Sequence, residues 1–168
     1  SDVTYEKKKF VTFNKKNLPE GTKPLDMWLE KYTTGTLTDV EQKSIDNLLT
    51  YLTSRGIGPD WYDFMYSPSK IWDIYQRLLI PFYWRGEVVG FTGRVFEKSQ
   101  AVKYYTDVWP GYVFNMDAQD WTRKFVIVTE GPFDAITVSG VSILGSEIND
   151  TQRELIDGLG RKVIVVPD

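Results

Sequence analysis

Phe125-Val126-Ile127-Val128-Thr129-Glu130-Gly131-Pro132-Phe133-Asp134-Ala135 sets an unbroken apolar run against an acid, a glycine and a proline. The run is short, rich in β-branched residues and apolar throughout, which predicts a strand covered on both faces. Pro132 suits the first position of a helix, predicted over 132–139. Farther on, Val141-Ser142-Ile143-Leu144 predicts a second strand, residues 150–159 a second helix, and Val163-Ile164-Val165-Val166 a third strand, followed by Pro167-Asp168. Apolar strands alternating with helices predict βαβ units and a parallel sheet.

Ligands of open parallel sheets bind beyond the carboxyl ends of the strands. Two of these ends carry acids. Glu130 stands at the tip of the first strand, with Gly131 expected to free the backbone for a tight turn. Asp134 falls in the first turn of the next helix, where it could cap that helix or face back toward Glu130. Asp168 follows the third strand. If the first and third strands are neighbours, Glu130 and Asp168 lie side by side, an arrangement that requires a cation or a proton. Each acid taken alone reads as a turn or cap residue; the ordered combination carries the signal.

Composition narrows the chemistry. The 168 residues hold 20 Lys and Arg against 23 Asp and Glu, with neither Cys nor His. That excludes disulfides, thiol nucleophiles, Cys or His zinc sites and imidazole bases. The remaining carboxylates suit a hard cation such as Mg²⁺ or Mn²⁺. No apolar run approaches the roughly 20 residues of a membrane span, and no export signal is evident, so a soluble cytoplasmic protein is expected.

Residues 1–24 hold six lysines against three acids and read as a basic tail or linker. A helix is predicted from an N-cap at Thr38 or Asp39, through Ile45, Leu48, Leu49 and Leu52, to a stop at Arg55-Gly56. A shorter helix is expected over 69–78. Residues 79–84 and 88–96 around Arg85-Gly86-Glu87 predict a β-hairpin, with Gly90 and Gly93 marking a bulge or a close backbone approach. Short strands are expected over 103–106 and 112–114. Arg94, Lys98 and Lys103, interleaved with Phe91, Phe96, Tyr104 and Tyr105, form a basic and aromatic stretch suited to phosphates and stacked bases. A strand pair with core aromatics and solvated cations fits the same residues.

The order strand-Glu-Gly-x-x-Asp-helix, strand-Leu-Gly, helix, strand-Asp over 124–168 resembles the Toprim domain of primases, topoisomerases and some nucleases and recombination proteins. Upstream, Tyr51-Leu52-x-x-Arg55-Gly56-Ile57, the Ile80-Pro81-Phe82 to Arg94 hairpin and Lys103-Tyr104 resemble motifs of bacterial-type DNA primases. Glu-Gly-Pro-Phe-Asp and Thr92 are more similar to the phage forms. The chain departs from the family at Thr106, where an Asn is expected. It also stops at Asp168, before the second acid of an Asp-x-Asp pair.

The resemblance implies an α/β fold: an α+β N-terminal subdomain over 25–123, then a partial Toprim βαβ domain over 124–168. It implies the catalytic core of a DNA primase making RNA primers by nucleotidyl transfer, with Mg²⁺ or Mn²⁺ held by acids among Glu130, Asp134 and Asp168. Catalysis would rest on Glu130 and Asp168, and nucleotide or template binding on Arg94, Lys103 and Tyr104. Implied partners are a single-stranded DNA template, ribonucleotides and a replicative helicase, in host cytoplasm if the source is a phage. A zinc-binding template reader would lie outside these residues, and the chain alone is expected to make no primers. A Toprim nuclease, a recombination mediator or a binding module without catalysis is the alternative.

Overall fold

The computed structural model describes residues 10–67, 76–97 and 102–168. They form a mixed α/β structure with an antiparallel and a parallel sheet. The antiparallel sheet runs β1 (Lys23–Pro24), β2 (Met65–Tyr66), β3 (Arg77–Trp84), β4 (Glu87–Val95), β5 (Tyr104–Asp107). In the parallel sheet β6 (Phe125–Thr129) lies between β7 (Val141–Ser142) and β8 (Lys162–Val165). The helices are α1 (Leu25–Thr34), α2 (Asp39–Ser54), α3 (Pro132–Val138) and α4 (Asp150–Asp157).

Helix α2 starts where the sequence predicts. Glu41 N–H donates to the Thr38 hydroxyl at 3.2 Å, and Thr38 N–H donates to the Glu41 carboxylate at 2.9 Å, a reciprocal cap. Gly56, at φ +68°, ends the helix in the left-handed conformation that L side chains resist. Ile45, Leu48 and Leu52 are fully buried, each contributing about 1.5–3 kcal/mol of burial. They join Leu25 and Trp28 of α1, Phe82 of β3 and Phe133 of α3 in one apolar cluster.

Helix α1 was not anticipated from the sequence. Its Leu25, Trp28, Leu29 and Tyr32 follow helical spacing, but the Pro and Gly residues before them read as linker punctuation. Of the helix expected over 69–78, residues 69–75 lie outside the described residues, and Arg77 and Leu78 belong to the buried strand β3. The buried Arg77 guanidinium donates to the carbonyls of Gly93, Val102 and Lys103. Strand pairing and this contact override any helical preference at these two positions.

The hairpin is β3–β4. Its turn residues, Arg85 and Gly86, have φ of +49° and +80°, the geometry of a two-residue turn that matches strand twist. The Asp117 carboxylate accepts from both turn N–H groups, at 2.9 and 2.8 Å. Phe82 pairs with Gly90 and Tyr83 with Val88, so Val89 is the bulged residue. A Cβ on Gly90 would collide with the Asp107 carbonyl, the close approach expected of a strand glycine.

Residues 10–24 make contacts with the antiparallel sheet and the segment after it. The Phe13 ring packs edge-on against Trp84 and Tyr112, with centroids at 5.0 and 5.7 Å. Lys16 N–H donates to the Val88 carbonyl at 2.9 Å, while its ammonium pairs with Asp107 and covers the Trp109 ring. One phenylalanine with an apolar place to sit outweighs the solvation of the lysines around it.

The βαβ order is the predicted one, with α3, β7 and α4 each somewhat shorter than expected and β8 shifted by one residue. Val128 pairs with both Val141 and Val165. The strand expected over 112–114 reduces to a single bridge, in which Phe114 and Ser142 exchange backbone hydrogen bonds of 2.8 and 3.1 Å.

Candidate nucleic-acid and metal site

Because β6 and β8 are parallel neighbours in this register, Glu130 and Asp168 emerge at the same sheet end. Val166 N–H donates to the Val128 carbonyl at 2.9 Å, extending the pairing toward both acids. The Thr129 hydroxyl donates to the Gly131 carbonyl at 3.0 Å, and the Ser142 hydroxyl donates to the Glu130 carbonyl at 2.7 Å. These bonds pin the turn. Gly131 itself has φ −107°, open to any residue, and a Cβ there would find ordinary contact distance. The expectation that Gly131 is needed for a tight turn is therefore corrected; the hydroxyl bonds shape the turn.

Asp134 lies in the first turn of α3, whose N-cap, Gly131, has no side chain to cap with. The Asp134 carboxyl interacts with that of Asp168. Partial burial pushes the Asp134 carboxyl above its ordinary range, the hydrogen bond and charge of Asp168 push it further, and Arg55 pulls it back. Asp168 and Arg55 are the charged neighbours of Asp134.

Glu130 and Asp168 line a cavity of about 400 Å³ together with Thr92, Tyr104 and Thr106. The Thr92 and Thr106 hydroxyls are hydrogen-bonded at 2.7 Å across β4 and β5. Beside the acids, cations and rings alternate. Arg55 sits 4.7 Å from the Phe133 centroid and 5.5 Å from that of Tyr51. Arg94 sits 5.2 Å from the centroids of both Tyr51 and Tyr104. The ladder Phe133–Arg55–Tyr51–Arg94–Tyr104 thus joins α3, α2, β4 and β5. The Arg94 Nη1 donates to the Val95 carbonyl at 2.7 Å, and planar guanidinium groups stacked on rings suit phosphate or carboxylate recognition.

Of the sequence-predicted binding residues, Arg94 and Tyr104 meet here. Lys103 precedes β5, is exposed and does not line the cavity; its carbonyl accepts from Arg77 at 3.1 Å. Lys98 lies outside the described residues. Phe91 is core, its ring 5.9 Å from that of Tyr105, so the blander reading holds for it. Arg55, Tyr51 and Thr92 escaped the sequence reading as site residues. Arg55-Gly56 reads as a helix end, and only the packing of α2 on α3 turns its guanidinium toward Asp134.

A hard divalent cation fits the chemistry of the donors, which are all carboxylate oxygens. A cation beside Asp134 and Asp168 would relieve the repulsion between them. Among the described residues no three acids converge into a closed metal cluster.

No protein-family model matches the chain, and no curated protein is similar to it in sequence. Its fold is similar to that of the Aquifex aeolicus primase zinc-binding and RNA polymerase domains, with TM-score 0.62 and 24% identity over 86% of this chain and 46% of that one. The RNA polymerase domain of Mycobacterium tuberculosis primase DnaG gives TM-score 0.64 and 16% identity, over 85% and 66%. A DnaG primase catalytic domain bound to ssDNA gives TM-score 0.60 and 16% identity, over 85% and 60%. The chain thus has the fold of a bacterial-type primase RNA polymerase core and spans between about half and two-thirds of these structures. These neighbours favour neither the nuclease nor the recombination-mediator alternative. Among the described residues no helix is long and apolar enough to cross a membrane.

Proposed function

We propose that the chain is the central part of a DNA primase catalytic core of the Toprim type, which joins ribonucleotides on a single-stranded DNA template. The observation that carries this reading is one cavity with Glu130 and Asp168 on one wall and Tyr104, backed by Arg94, on the other. Glu130, Asp134 and Asp168 are the residues that would hold Mg²⁺ or Mn²⁺. When bound, the ion would lower the pKa of the primer hydroxyl and neutralise charge on the triphosphate. Arg94, held between Tyr51 and Tyr104, binds phosphate, and the exposed face of Tyr104 receives a base. Arg55 sets the charge balance at Asp134. Lys103 extends the positive surface along the template. Ribonucleotides, a replicative helicase and a phage source in host cytoplasm belong to this proposal by the resemblance.

The test is primer synthesis with template, ribonucleotides and Mg²⁺ by a longer protein containing these residues. Glu130→Gln keeps shape and hydrogen bonding but removes charge, so synthesis should be lost with the fold and DNA binding intact. Rates near the parent's would overturn the reading.

A further inference from the structure

Trp121 is 87% exposed, in the connection that leads into β6. Two basic pairs flank it in space. Arg123 and Lys124 precede β6, and Arg161 and Lys162 precede β8. Parallel pairing brings both to one sheet end: Phe125 pairs with Lys162, and Lys162 N–H donates to the Lys124 carbonyl at 3.0 Å. This is the end opposite Glu130 and Asp168, about 17 Å away along a five-residue strand.

Part of this cluster is structural. Arg123 donates to the Ser139 carbonyl at 3.0 Å and covers the Phe125 ring at 4.6 Å. Asp120 is the acid in the group, and one of its oxygens already accepts from the Thr122 N–H and hydroxyl, at 2.8 and 2.7 Å. What remains is a surplus of positive charge in a chain whose net charge is −3.

Trp121 selects among anionic partners. A tryptophan that anchors a folded protein sits in an apolar setting; this one stands between Asp120 and Thr122 with its ring in solvent. An indole with open faces beside a row of cations is a stacking platform with phosphate contacts at base-to-base range. We propose that the amino-terminal end of the parallel sheet is a second contact for single-stranded nucleic acid, with a base on Trp121 and phosphates on Lys124, Arg161 and Lys162. The contact does not depend on the cleft chemistry, because it shares no side chain with it.

Binding of fluorescein-labelled oligo(dT), twenty nucleotides long, to this chain across a salt series tests the proposal. Trp121→Ala should weaken binding roughly fivefold or more with the salt slope unchanged. Lys124→Ala/Lys162→Ala should lower the slope by about 1.4, two single-strand phosphate contacts. Trp61→Ala, an exposed tryptophan beside Asp60 and Asp63, should match the parent. Bromodeoxyuridine-substituted oligonucleotide should photocross-link to Trp121. Parental affinity and slope in both variants would overturn the proposal, as would a parent chain that binds no oligonucleotide at low salt. A change of oligomeric state in Trp121→Ala would overturn it in favour of a protein interface. Loss confined to Arg94→Ala would leave the cleft standing and remove this contact; loss confined to the Trp121 and lysine variants would do the reverse.

Discussion

Arg77, at the start of β3, donates a hydrogen bond of 3.1 Å to the carbonyl of Lys103, two strands away, where β5 is about to begin. The same guanidinium reaches the Val102 carbonyl at 2.9 Å and that of Gly93 at 3.0 Å. A buried cation directed at main-chain oxygens therefore fixes the strand that presents Tyr104 to Arg94.

Removing that guanidinium takes a donor from three carbonyls, of which that of Lys103 keeps the Val95 N–H at 3.0 Å, at about 1–3 kcal/mol for each one left without a replacement. Arg77→Ala should lose about 3 kcal/mol or more in urea unfolding, and Arg77→Lys, a point donor for one carbonyl, should fall between. A loss below about 0.5 kcal/mol would mean that the main chain holds this strand without it.

Arg94 joins two rings, so charge and plane are separable. Arg94→Ala should weaken single-stranded DNA binding and reduce the salt slope by about 0.7. Arg94→Lys should retain the slope while losing affinity, because an ammonium cannot stack between Tyr51 and Tyr104. Anisotropy titrations at several salt concentrations measure both. Parental affinity in Arg94→Lys would show that the stack does not matter.

The Asp134–Asp168 contact places stability against cation binding. Asp134→Asn removes a like-charge neighbour and should raise the melting temperature at neutral pH in the absence of divalent ions. The same change should weaken Mn²⁺ binding about tenfold, a difference of about 1.4 kcal/mol. Glu130→Gln should weaken Mn²⁺ binding without the gain in stability. Calorimetry and Mn²⁺ relaxation measurements read the two effects.

Asp120 offers a test with a defined sign. The Thr122 hydroxyl and the Thr122 N–H, both donating to its carboxylate, hold Asp120 below the ordinary Asp value, and Arg161 and Arg123 add to this. A depressed acid contributes stability that is present above the unfolded value and lost as pH falls through the folded one. Thr122→Ala removes the largest cause, so the Asp120 carboxyl resonance should titrate at higher pH than in the parent. An unchanged midpoint would assign the depression to the guanidinium groups.

The parallel sheet was legible because its strands are uninterrupted apolar runs bounded by Gly, Pro and acids, a local pattern. The cap at Thr38, the stop at Gly56 and the hairpin around Arg85-Gly86 were readable for the same reason. What escaped depends on distant partners. Phe13 becomes part of the body only because Trp84 and Tyr112 leave room for it. Asp134 has Asp168 as a neighbour only because β6 and β8 pair across the sheet end. Arg55 ends a helix in the sequence and stands over Phe133 in space. Whether Glu130 and Asp168 are neighbours depends on strand order, and β6–β8 pairing makes them so.

The bridge between Phe114 and Ser142 bears on adaptability. Phe114 rests on Phe82 of the antiparallel sheet, its ring 5.7 Å away, while the Ser142 hydroxyl holds the Glu130 carbonyl. The aperture between the ring-bearing wall and the acid-bearing wall is thus gauged by main chain and one hydroxyl, not by the residues that face the ligand. Those facing residues can be exchanged over generations, retuning what is gripped, while the jaw opening stays constant.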